Sequence, residues 1–257
     1  MWTNKDTRLF CSVSSHPGNF GCSLYNAAFD HLGYNAIYKP LKCDTISQFV
    51  DIVRYAQSYS ISGMSVSMPF KKVAINLGTY GDDDARDTGN ANTLFWYQLP
   101  SPACYNTDSV GFERANIDIL KQASFATIIG KGAVSDSVQY VLEKYSILSV
   151  RFSSREKLKH PLAMNDFDWL INCSPIGMDH VSDGLFTEKF IKPFKYVSDV
   201  VLNKETNLIK IAKKLGKPHV NGVSMSLEQL CAQFRLYTHL EAPRSVFQEV
   251  LKGNGYV

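Results

Sequence analysis

The chain has 257 residues, 45% of them hydrophobic and 20% charged, as is usual for a soluble globular protein. Its 27 basic and 24 acidic residues give a net charge of +3, and no basic stretch suggests a nucleic-acid or membrane partner. No window approaches the ~18 consecutive apolar residues of a transmembrane helix, and no secretory signal begins the chain. Six cysteines without a C-x-x-C pair argue against a zinc site or a disulfide framework. These features predict a cytoplasmic protein without a bound metal, and they leave open whether it is a monomer or homodimer.

Strand-like and helix-like patterns alternate along the first half of the chain. Short apolar runs that end at turn residues indicate strands, while apolar residues three and four positions apart indicate helices. An acidic run at 82–84 is interpreted as a solvated turn. The predicted strands lie at 9–13, 34–38, 64–66 and 92–97, and the predicted helices at 24–32 and 46–56.

The second half of the chain alternates more regularly. Its predicted strands lie at 125–129, 147–152, 169–172 and 196–201, and its predicted helices at 134–142, 208–212, 227–240 and 243–251. The whole pattern predicts an α/β protein. We expect two α/β units, residues 1–112 and 113–222, with the last two helices packing back on the first unit.

A glycine turn joins the predicted strand at 125–129 to the helix that follows it. The turn contains Gly130, Gly132 and Ala133, and Ser135 replaces the usual third glycine, where packing requires only a small residue. In dinucleotide-binding proteins the first glycine permits a tight turn, and the second lets a phosphate approach the backbone and the helix amino terminus. The segment therefore predicts a dinucleotide site; the alternative is a glycine turn without a ligand.

The exit of the next predicted strand indicates which dinucleotide would bind. Proteins selective for NAD usually carry an acidic residue there, which binds the ribose 2′-hydroxyl. This chain has Ser153, Ser154 and Arg155 instead, whose hydroxyls and cation suit a 2′-phosphate. The predicted cofactor is NADP, and the alternative is a solvated basic loop.

Four polar segments fall where strand ends are predicted, at 65–71, 89–93, 105–108 and 225–229. In the first of them, Lys71 follows a rigid Pro-Phe turn, which can hold a lysine beside a carboxylate and partly out of water. Such a pair can move a proton to or from an alcohol oxygen while hydride leaves the carbon. One lysine alone would more often be a surface charge, so the order of the four segments carries the interpretation.

These four segments and two others between the third and the fourth resemble the motifs of the shikimate dehydrogenase family, in the family's order and over essentially the full length of the chain. S-V-S-M-P-F-K resembles N-V-T-x-P-[FH]-K, G-N-A-N-T resembles G-A-V-N-T, and N-T-D-S-V-G-F resembles N-T-D-G-x-G-F. I-N-C-S-P-I-G-M resembles I-N-x-T-P-x-G-M. The closing motifs are matched by D-V-V with Glu205-Thr206, and by Gly222 with Met225 and Gln229.

The resemblance implies an NADP-dependent oxidoreductase that interconverts shikimate and 3-dehydroshikimate, a step of chorismate and aromatic amino acid biosynthesis. Residues 1–112, completed by 223–257, would bind the substrate, and a Rossmann-type domain at 113–222 would bind NADP. Lys71 would be the general acid/base, and Asp108 would hold a neighbouring hydroxyl and keep the lysine in place. The resemblance also implies that Ser67, Asn92 and Gln229 contact the substrate. The implied cofactor contacts are Gly130, Gly132, Ala133, Ser153, Ser154, Arg155, Met178, Gly222 and Met225. The two methionines are equally well explained as core residues.

The chain departs from the family where the substrate carboxylate is bound. The family uses two serines, in S-x-S-P, a few residues before H-N. Counted back from Asn26, those places hold Asn19 and Gly21, and Tyr25 replaces the histidine. Asn19 can donate from its amide and is predicted to bind the substrate, whereas Gly21 has no side chain; Leu202 replaces a tyrosine that also approaches the carboxylate. We expect a shikimate dehydrogenase-like side branch, marked by N-F-G, that turns shikimate over slowly and acts on a related polyhydroxylated ring acid.

Two other functions are compatible with the same residues. A dehydrogenase for quinate or another cyclitol acid, using NADP or NAD, would also keep Lys71 and Asp108. A cofactor-binding regulatory protein with vestigial catalysis would keep the glycine turn, although the intact Lys71, Asp108, Asn92 and Gln229 argue against it.

Overall fold

The computed structural model describes residues 3–96, 100–153, 168–178 and 184–256. The chain divides into two compact units: Met1–Thr107 with Leu230–Gly255 (unit 1), and Asp108–Gln229 (unit 2). These bounds differ by a few residues from the predicted domains, whose assignment to substrate and cofactor stays a prediction. Among the described residues, no helix has the length and apolar character needed to cross a membrane.

Strands and helices alternate through both units, so the predicted α/β class is confirmed. The strands are β1 (Arg8–Ser14), β2 (Ala36–Lys42), β3 (Ile61–Val66), β4 (Thr79–Tyr80), β5 (Thr93–Phe95), β6 (Ala103–Tyr105), β7 (Phe125–Ile129), β8 (Leu148–Phe152), β9 (Trp169–Asn172), β10 (Tyr196–Asp199) and β11 (His219–Val220). The helices are α1 (Phe20–His31), α2 (Ile46–Tyr55), α3 (Lys71–Ala74), α4 (Asp83–Thr88), α5 (Thr107–Ala115), α6 (Ile117–Leu120), α7 (Ala133–Lys144), α8 (Glu188–Ile191), α9 (Asn207–Lys214), α10 (Gly222–Thr238) and α11 (Arg244–Gly253).

Unit 1 contains a six-stranded mixed sheet with the order β2-β1-β3-β5-β6-β4. β1 is parallel to β2 and β3, whereas β5 is antiparallel to β3 and β6. An aromatic cluster covers one part of this sheet, where the ring of Tyr237 stacks on Phe10 with centroids 4.8 Å apart. Gly63 makes this packing possible, because a Cβ there would lie 2.5 Å from the Tyr237 ring.

Two sequence predictions in unit 1 were wrong. The strand predicted at 34–38 lies at Ala36–Lys42 and continues through Pro40, because β2 is an edge strand and a missing N–H is tolerated there. The acidic run at 82–84 is a helix start: Asp82 is the N-cap of α4, and its Oδ1 accepts from the Ala85 N–H at 2.7 Å. A capped helix of six residues has too little apolar periodicity to be recognised from the sequence.

Unit 2 contains a five-stranded parallel sheet with the order β11-β10-β9-β7-β8. Counted along the unit, this is the doubly wound order 2-1-3-4-5, in which the strand order reverses between β7 and β9. Apolar residues pack on both faces, one cluster around Trp169 and Val138 and the other around Leu170 and Phe194. Ligands of such sheets bind at the carboxyl ends of the strands, beside the reversal.

All six cysteines are free thiols, and Cys11, Cys43, Cys104 and Cys231 are buried. Burial raises the pKa of Cys11 and of Cys104 to about 12. These thiols therefore stay protonated and pack as small apolar side chains.

Asp168 provides a test of the electrostatics of unit 2. Its Oδ1 lies 2.7 Å from Lys195 Nζ and its Oδ2 accepts from the Ser124 N–H at 2.9 Å. The hydrogen bond from Lys195 holds the pKa of Asp168 below its ordinary value, so the folded state prefers the carboxylate. This stabilisation is complete above the unfolded pKa of about 4 and is lost as the pH falls through the lowered folded pKa.

We expect Asp168→Asn to lower the free energy of unfolding by about 1 kcal/mol at neutral pH and by less in acid. Urea unfolding at about pH 7 and about pH 3 measures the difference. Asp44→Asn, which removes an exposed partner of Lys42, is the control and should change little. An Asp168→Asn deficit that stayed constant between the two pH values would contradict the assignment.

Candidate active site

Lys71 is the first residue of α3 and is only 8% exposed. The preceding Phe70 is fully buried and stacks on Phe49, with ring centroids 4.9 Å apart. The Lys71 carbonyl accepts from the Ala91 N–H at 3.0 Å, which joins this turn to the segment before β5. The local packing therefore fixes the backbone that carries a largely buried lysine.

Asn92 precedes β5 and its amide orientation is fixed within unit 1. Its Oδ1 accepts from Thr93 Oγ1 at 2.9 Å, from the Thr107 N–H at 2.9 Å and from Thr107 Oγ1 at 3.0 Å. Because the oxygen accepts all three bonds, Nδ2 is the atom of Asn92 that can donate to a ligand.

Asp82 supports the segment after β6, which sequence reasoning did not foresee. The Asn106 N–H lies 3.3 Å from each carboxylate oxygen of Asp82, and Asn106 Nδ2 donates to Thr88 Oγ1 at 2.8 Å. Burial raises the pKa of Asp82, although its bonds from Ala85 and Asn106 oppose the shift. The signal in the sequence was an Asp-Asp-Asp run with a helix-capping residue at its start.

Asp108 lies in the first turn of α5 and is 6% exposed. Three residues later, Gly111 allows α5 to approach α10 closely within unit 2. A Cβ on Gly111 would lie 2.7 Å from Gln229 Cβ and 2.8 Å from the Met225 carbonyl oxygen. The glycine of N-T-D-S-V-G-F is thus required by packing beside the half-buried Gln229.

Two residues predicted to bind the substrate, Ser67 at a ring hydroxyl and Asn19 at the carboxylate, are exposed in unit 1. Ser67 follows β3, and its backbone N–H donates to the Val13 carbonyl at 3.0 Å. Asn19 is the N-cap of α1, and its side chain makes no capping hydrogen bond. A Cβ placed on Gly21 would lie 3.7 Å from Tyr38 Oη, which is ordinary van der Waals contact.

The glycine turn lies where the strand order of unit 2 reverses. Gly130 has φ +127°, and a Cβ there would lie 2.5 Å from the Cys173 carbonyl oxygen, at the end of β9. Gly132 is the N-cap of the twelve-residue α7, and a Cβ there would meet nothing within 4 Å. An open backbone at the amino terminus of a helix beside the reversal suits a pyrophosphate, so these residues fit a dinucleotide.

Ser135 and Arg151 hold this turn together. Ser135 Oγ donates to the Gly130 carbonyl at 3.0 Å and accepts from Arg151 Nη2 at 2.5 Å. The same Nη2 lies 2.7 Å from Asp136 Oδ1, which neutralises the acidic residue in the first turn of α7. Arg151 was not singled out in the sequence because a single arginine within a predicted strand has no motif.

The remaining cofactor predictions fall at several places in unit 2. Ala133 begins α7 and Ser153 is exposed directly after β8, whereas Ser154 and Arg155 lie outside the described residues. Met178 is half-buried. Gly222 begins α10, where a Cβ would lie 2.1 Å from the Val201 carbonyl oxygen, so close packing requires a glycine. Met225 is buried in the apolar cluster around Trp169, as the core interpretation predicts.

A buried polar network explains the I-N-C-S-P-I-G-M and D-V-V motifs structurally. Asn172 Nδ2 donates to Asp199 Oδ1 at 3.0 Å and to the Ile176 carbonyl at 2.9 Å. Asn172 Oδ1 accepts from Ser174 Oγ at 2.6 Å, and Asp199 Oδ2 accepts from Thr206 Oγ1 at 2.6 Å. These bonds fix the loops that follow β9 and β10, at the carboxyl edge of the sheet.

Comparison with known proteins agrees with this arrangement. Residues 20–94 match the family described as shikimate dehydrogenase substrate binding domain. Over this range the chain is similar to the substrate-binding domain of shikimate dehydrogenases. A shikimate dehydrogenase-like protein of Haemophilus influenzae is 29% identical over 255 residues, which is 92% of each chain.

The likeness to shikimate dehydrogenases extends over both units. Shikimate dehydrogenase (NADP(+)) of Aquifex aeolicus is 26% identical over 267 residues, covering 97% of this chain and 98% of its own length. The solved structure of a shikimate 5-dehydrogenase-like protein has a TM-score of 0.83 at 26% identity and covers 98% of both chains. The protein therefore has the shikimate dehydrogenase fold, with a Rossmann-type second unit.

The two glycines of the turn provide a matched pair for testing its geometry. Gly130→Ala should lower the free energy of unfolding by more than about 2 kcal/mol, because a side chain clashes with the backbone of Cys173 and disfavours the positive φ. Gly132→Ala should fold with nearly the stability of the parent, since its Cβ enters open space. Urea unfolding compares the two variants, and equal stabilities would contradict the geometry of the turn.

Proposed function

We propose that the protein is an NADP-dependent dehydrogenase that oxidises a secondary alcohol of a polyhydroxylated ring acid, with shikimate and 3-dehydroshikimate as an alcohol and ketone that it interconverts. The observation that supports this most is the full-length likeness to NADP-dependent shikimate dehydrogenases in a chain that has Lys71 and Asp108 at the motif positions. We place the activity in the cytoplasm, in a monomer or homodimer whose partner is a small ring acid rather than nucleic acid or membrane.

In the proposed reaction, the cofactor supplies the hydride acceptor when it is bound. Oxidation also releases the proton of the alcohol, and Lys71 Nζ takes it; in the reverse direction, Lys71 returns it to the ketone oxygen. Asp108 is proposed to accept a hydrogen bond from a neighbouring hydroxyl, which orients the ring. The nearly complete burial of both side chains supports roles beyond those of surface charges.

The other proposed contacts divide between the two ligands. Asn92 Nδ2, Ser67 and Gln229 would bind ring hydroxyls, and Asn19 would donate to the carboxylate. For the cofactor, the Gly130–Gly132 turn and the amino terminus of α7 would hold the pyrophosphate, with Ala133, Met178 and Gly222 also assigned to it. Ser153, Ser154 and Arg155 would receive the 2′-phosphate, which makes NADP the proposed cofactor.

Weak binding of the substrate carboxylate supports low activity on shikimate itself. Each lost donor to a carboxylate costs about 1–3 kcal/mol, and Gly21 supplies none. We propose that the preferred substrate is a related ring acid whose carboxylate depends less on this position.

Lys71→Met should lower kcat by about 10²–10⁴-fold, because the general acid/base is removed. The affinity for NADP⁺ should stay unchanged, since the cofactor contacts are assigned to other residues. Reduction of NADP⁺ by shikimate, quinate and other cyclitol acids, followed spectrophotometrically, measures the loss. Lys72→Met is the matched control, because Lys72 is the exposed neighbour in α3, and it should keep the parent activity.

The outcomes of this assay separate the candidate functions. Equal residual turnover in Lys71→Met and the parent would refute the assignment of Lys71. Preference for quinate or for NAD⁺ would identify a cyclitol-acid dehydrogenase instead. Binding of NADP⁺ without oxidation of any ring acid would favour a regulatory protein.

Gly21→Ser should raise kcat/KM for shikimate by about 5–150-fold, the equivalent of one restored hydrogen bond to a carboxylate. The new side chain fits, because its Cβ makes only ordinary contact with Tyr38 Oη. Gly18→Ser is the control and should leave kcat/KM unchanged. It adds the same hydroxyl at an open position, two residues before α1, the helix that contains Gly21. No gain in Gly21→Ser would show that the acid is bound elsewhere.

A further inference from the structure

Gln233, on α10, links three polar segments of unit 1 and is fully buried. Its Oε1 accepts from Tyr25 Oη at 2.7 Å and from Ser65 Oγ at 2.6 Å. Its Nε2 donates to Thr93 Oγ1 at 2.5 Å. The amide therefore uses its oxygen toward α1 and β3 and its nitrogen toward β5.

The hydrogen bonds through Gln233 run in one direction. Tyr38 Oη donates to Ser65 Oγ at 2.6 Å, and Ser65 donates onward to Gln233 Oε1. Gln233 Nε2 donates to Thr93, whose own hydroxyl donates to Asn92 Oδ1 at 2.9 Å. Each hydroxyl has one hydrogen, so the donation by Gln233 leaves that of Thr93 available to Asn92. The chain of bonds ends at the Asn92 oxygen, which leaves Nδ2 as the donating atom of that amide.

Two of these side chains stand where the sequence departs from the shikimate dehydrogenase motifs. Tyr25 replaces the histidine of H-N, and Ser65 replaces the first asparagine of N-V-T-x-P. Both donate to the same oxygen of Gln233. Burial raises the pKa of Tyr25, so its phenol stays protonated and remains a donor. Tyr25 Oη also lies 3.2 Å from the Leu230 carbonyl oxygen, and Ser65 Oγ also contacts the hydroxyls of Tyr38 and Tyr237. The amide oxygen of Gln233 is thus an acceptor that the two replacements share.

We infer that Gln233 is a positioning residue for the substrate, which acts through Thr93 to hold the donating amide of Asn92 in place. This inference rests on the proposed function, in which Asn92 binds a ring hydroxyl. It adds that the affinity for the ring depends on a residue that does not itself contact the ring.

Two substitutions of Gln233 separate positioning from packing. Gln233→Met keeps the length of the side chain but removes both hydrogen-bonding groups. Gln233→Glu keeps the acceptor for Tyr25 and Ser65, but as a carboxylate it cannot donate to Thr93. A buried carboxyl group has a raised pKa, and once protonated it regains a donor. Gln248→Met, an exposed position on α11, is the matched control.

We expect Gln233→Met to raise the KM for shikimate about tenfold and to change kcat by less than about threefold, with NADP⁺ affinity unchanged. For Gln233→Glu, the ratio of variant to parent KM should fall as the pH is lowered from about 9 to about 6, because the protonated carboxyl restores donation to Thr93. Gln248→Met should match the parent throughout. A KM ratio for Gln233→Glu that does not change with pH, or a loss confined to kcat, would overturn the inference.

A second measurement does not depend on turnover. The side-chain NH₂ signals of Asn92 in ¹⁵N-resolved NMR spectra should shift in Gln233→Met and stay in place in Gln248→Met. If the parent oxidises no ring acid while the Asn92 signals shift, the proposed function fails and the positioning of Asn92 stands. Unmoved signals would refute the positioning role whatever the substrate. If Gln233→Met does not fold, Thr93→Val interrupts the same chain and must give the same tenfold rise in KM and the same shift of the signals, or the inference fails.

Discussion

Buried polar side chains need hydrogen-bond partners, and this requirement fixes the conformation of the chain at the ends of its strands. In unit 1, the oxygen of Asn92 accepts three hydrogen bonds, and in unit 2 Asn172 and Asp199 bind each other and the loops beside them. An unpaired amide or carboxylate at these depths would cost several kcal/mol, which is a large fraction of the stability of a typical domain. The strand ends are therefore held by directional bonds, and groups offered to a ligand are those left over once the internal partners are satisfied.

The parts of the fold that follow from local pattern could be predicted from the sequence. The strand at 125–129, its glycine turn and the helix behind it are a continuous signal, and β7 has those bounds. Features that depend on tertiary partners could not be predicted. β6 is three residues long and is defined by its pairing with β5 and β4, and Asp82 is a half-buried cap because Asn106 and Ala85 donate to it.

The candidate site divides in the same way. The order of the motifs indicated Lys71, Asp108 and Asn92, because each residue lies in a short sequence segment that can be compared with the motifs of a family. Arg151 and Gln233 are distant in sequence from the residues they support, and each is recognisable only from its partners in space. The structure also shows what two departures from the motifs have in common. Tyr25 and Ser65 lie 40 residues apart in the chain, and both donate to Gln233 Oε1.

The protonated thiols have a consequence for how the protein behaves in a changing redox environment. Disulfide exchange and oxidation both proceed through the thiolate, which Cys11 and Cys104 scarcely form while the chain is folded. Burial also raises the pKa of Cys173, whose backbone closes on the glycine turn. A shift toward oxidising conditions would leave the buried sulfurs of Cys11 and Cys104 chemically unchanged while the chain is folded, so their state reports on unfolding rather than on the redox potential of the surroundings.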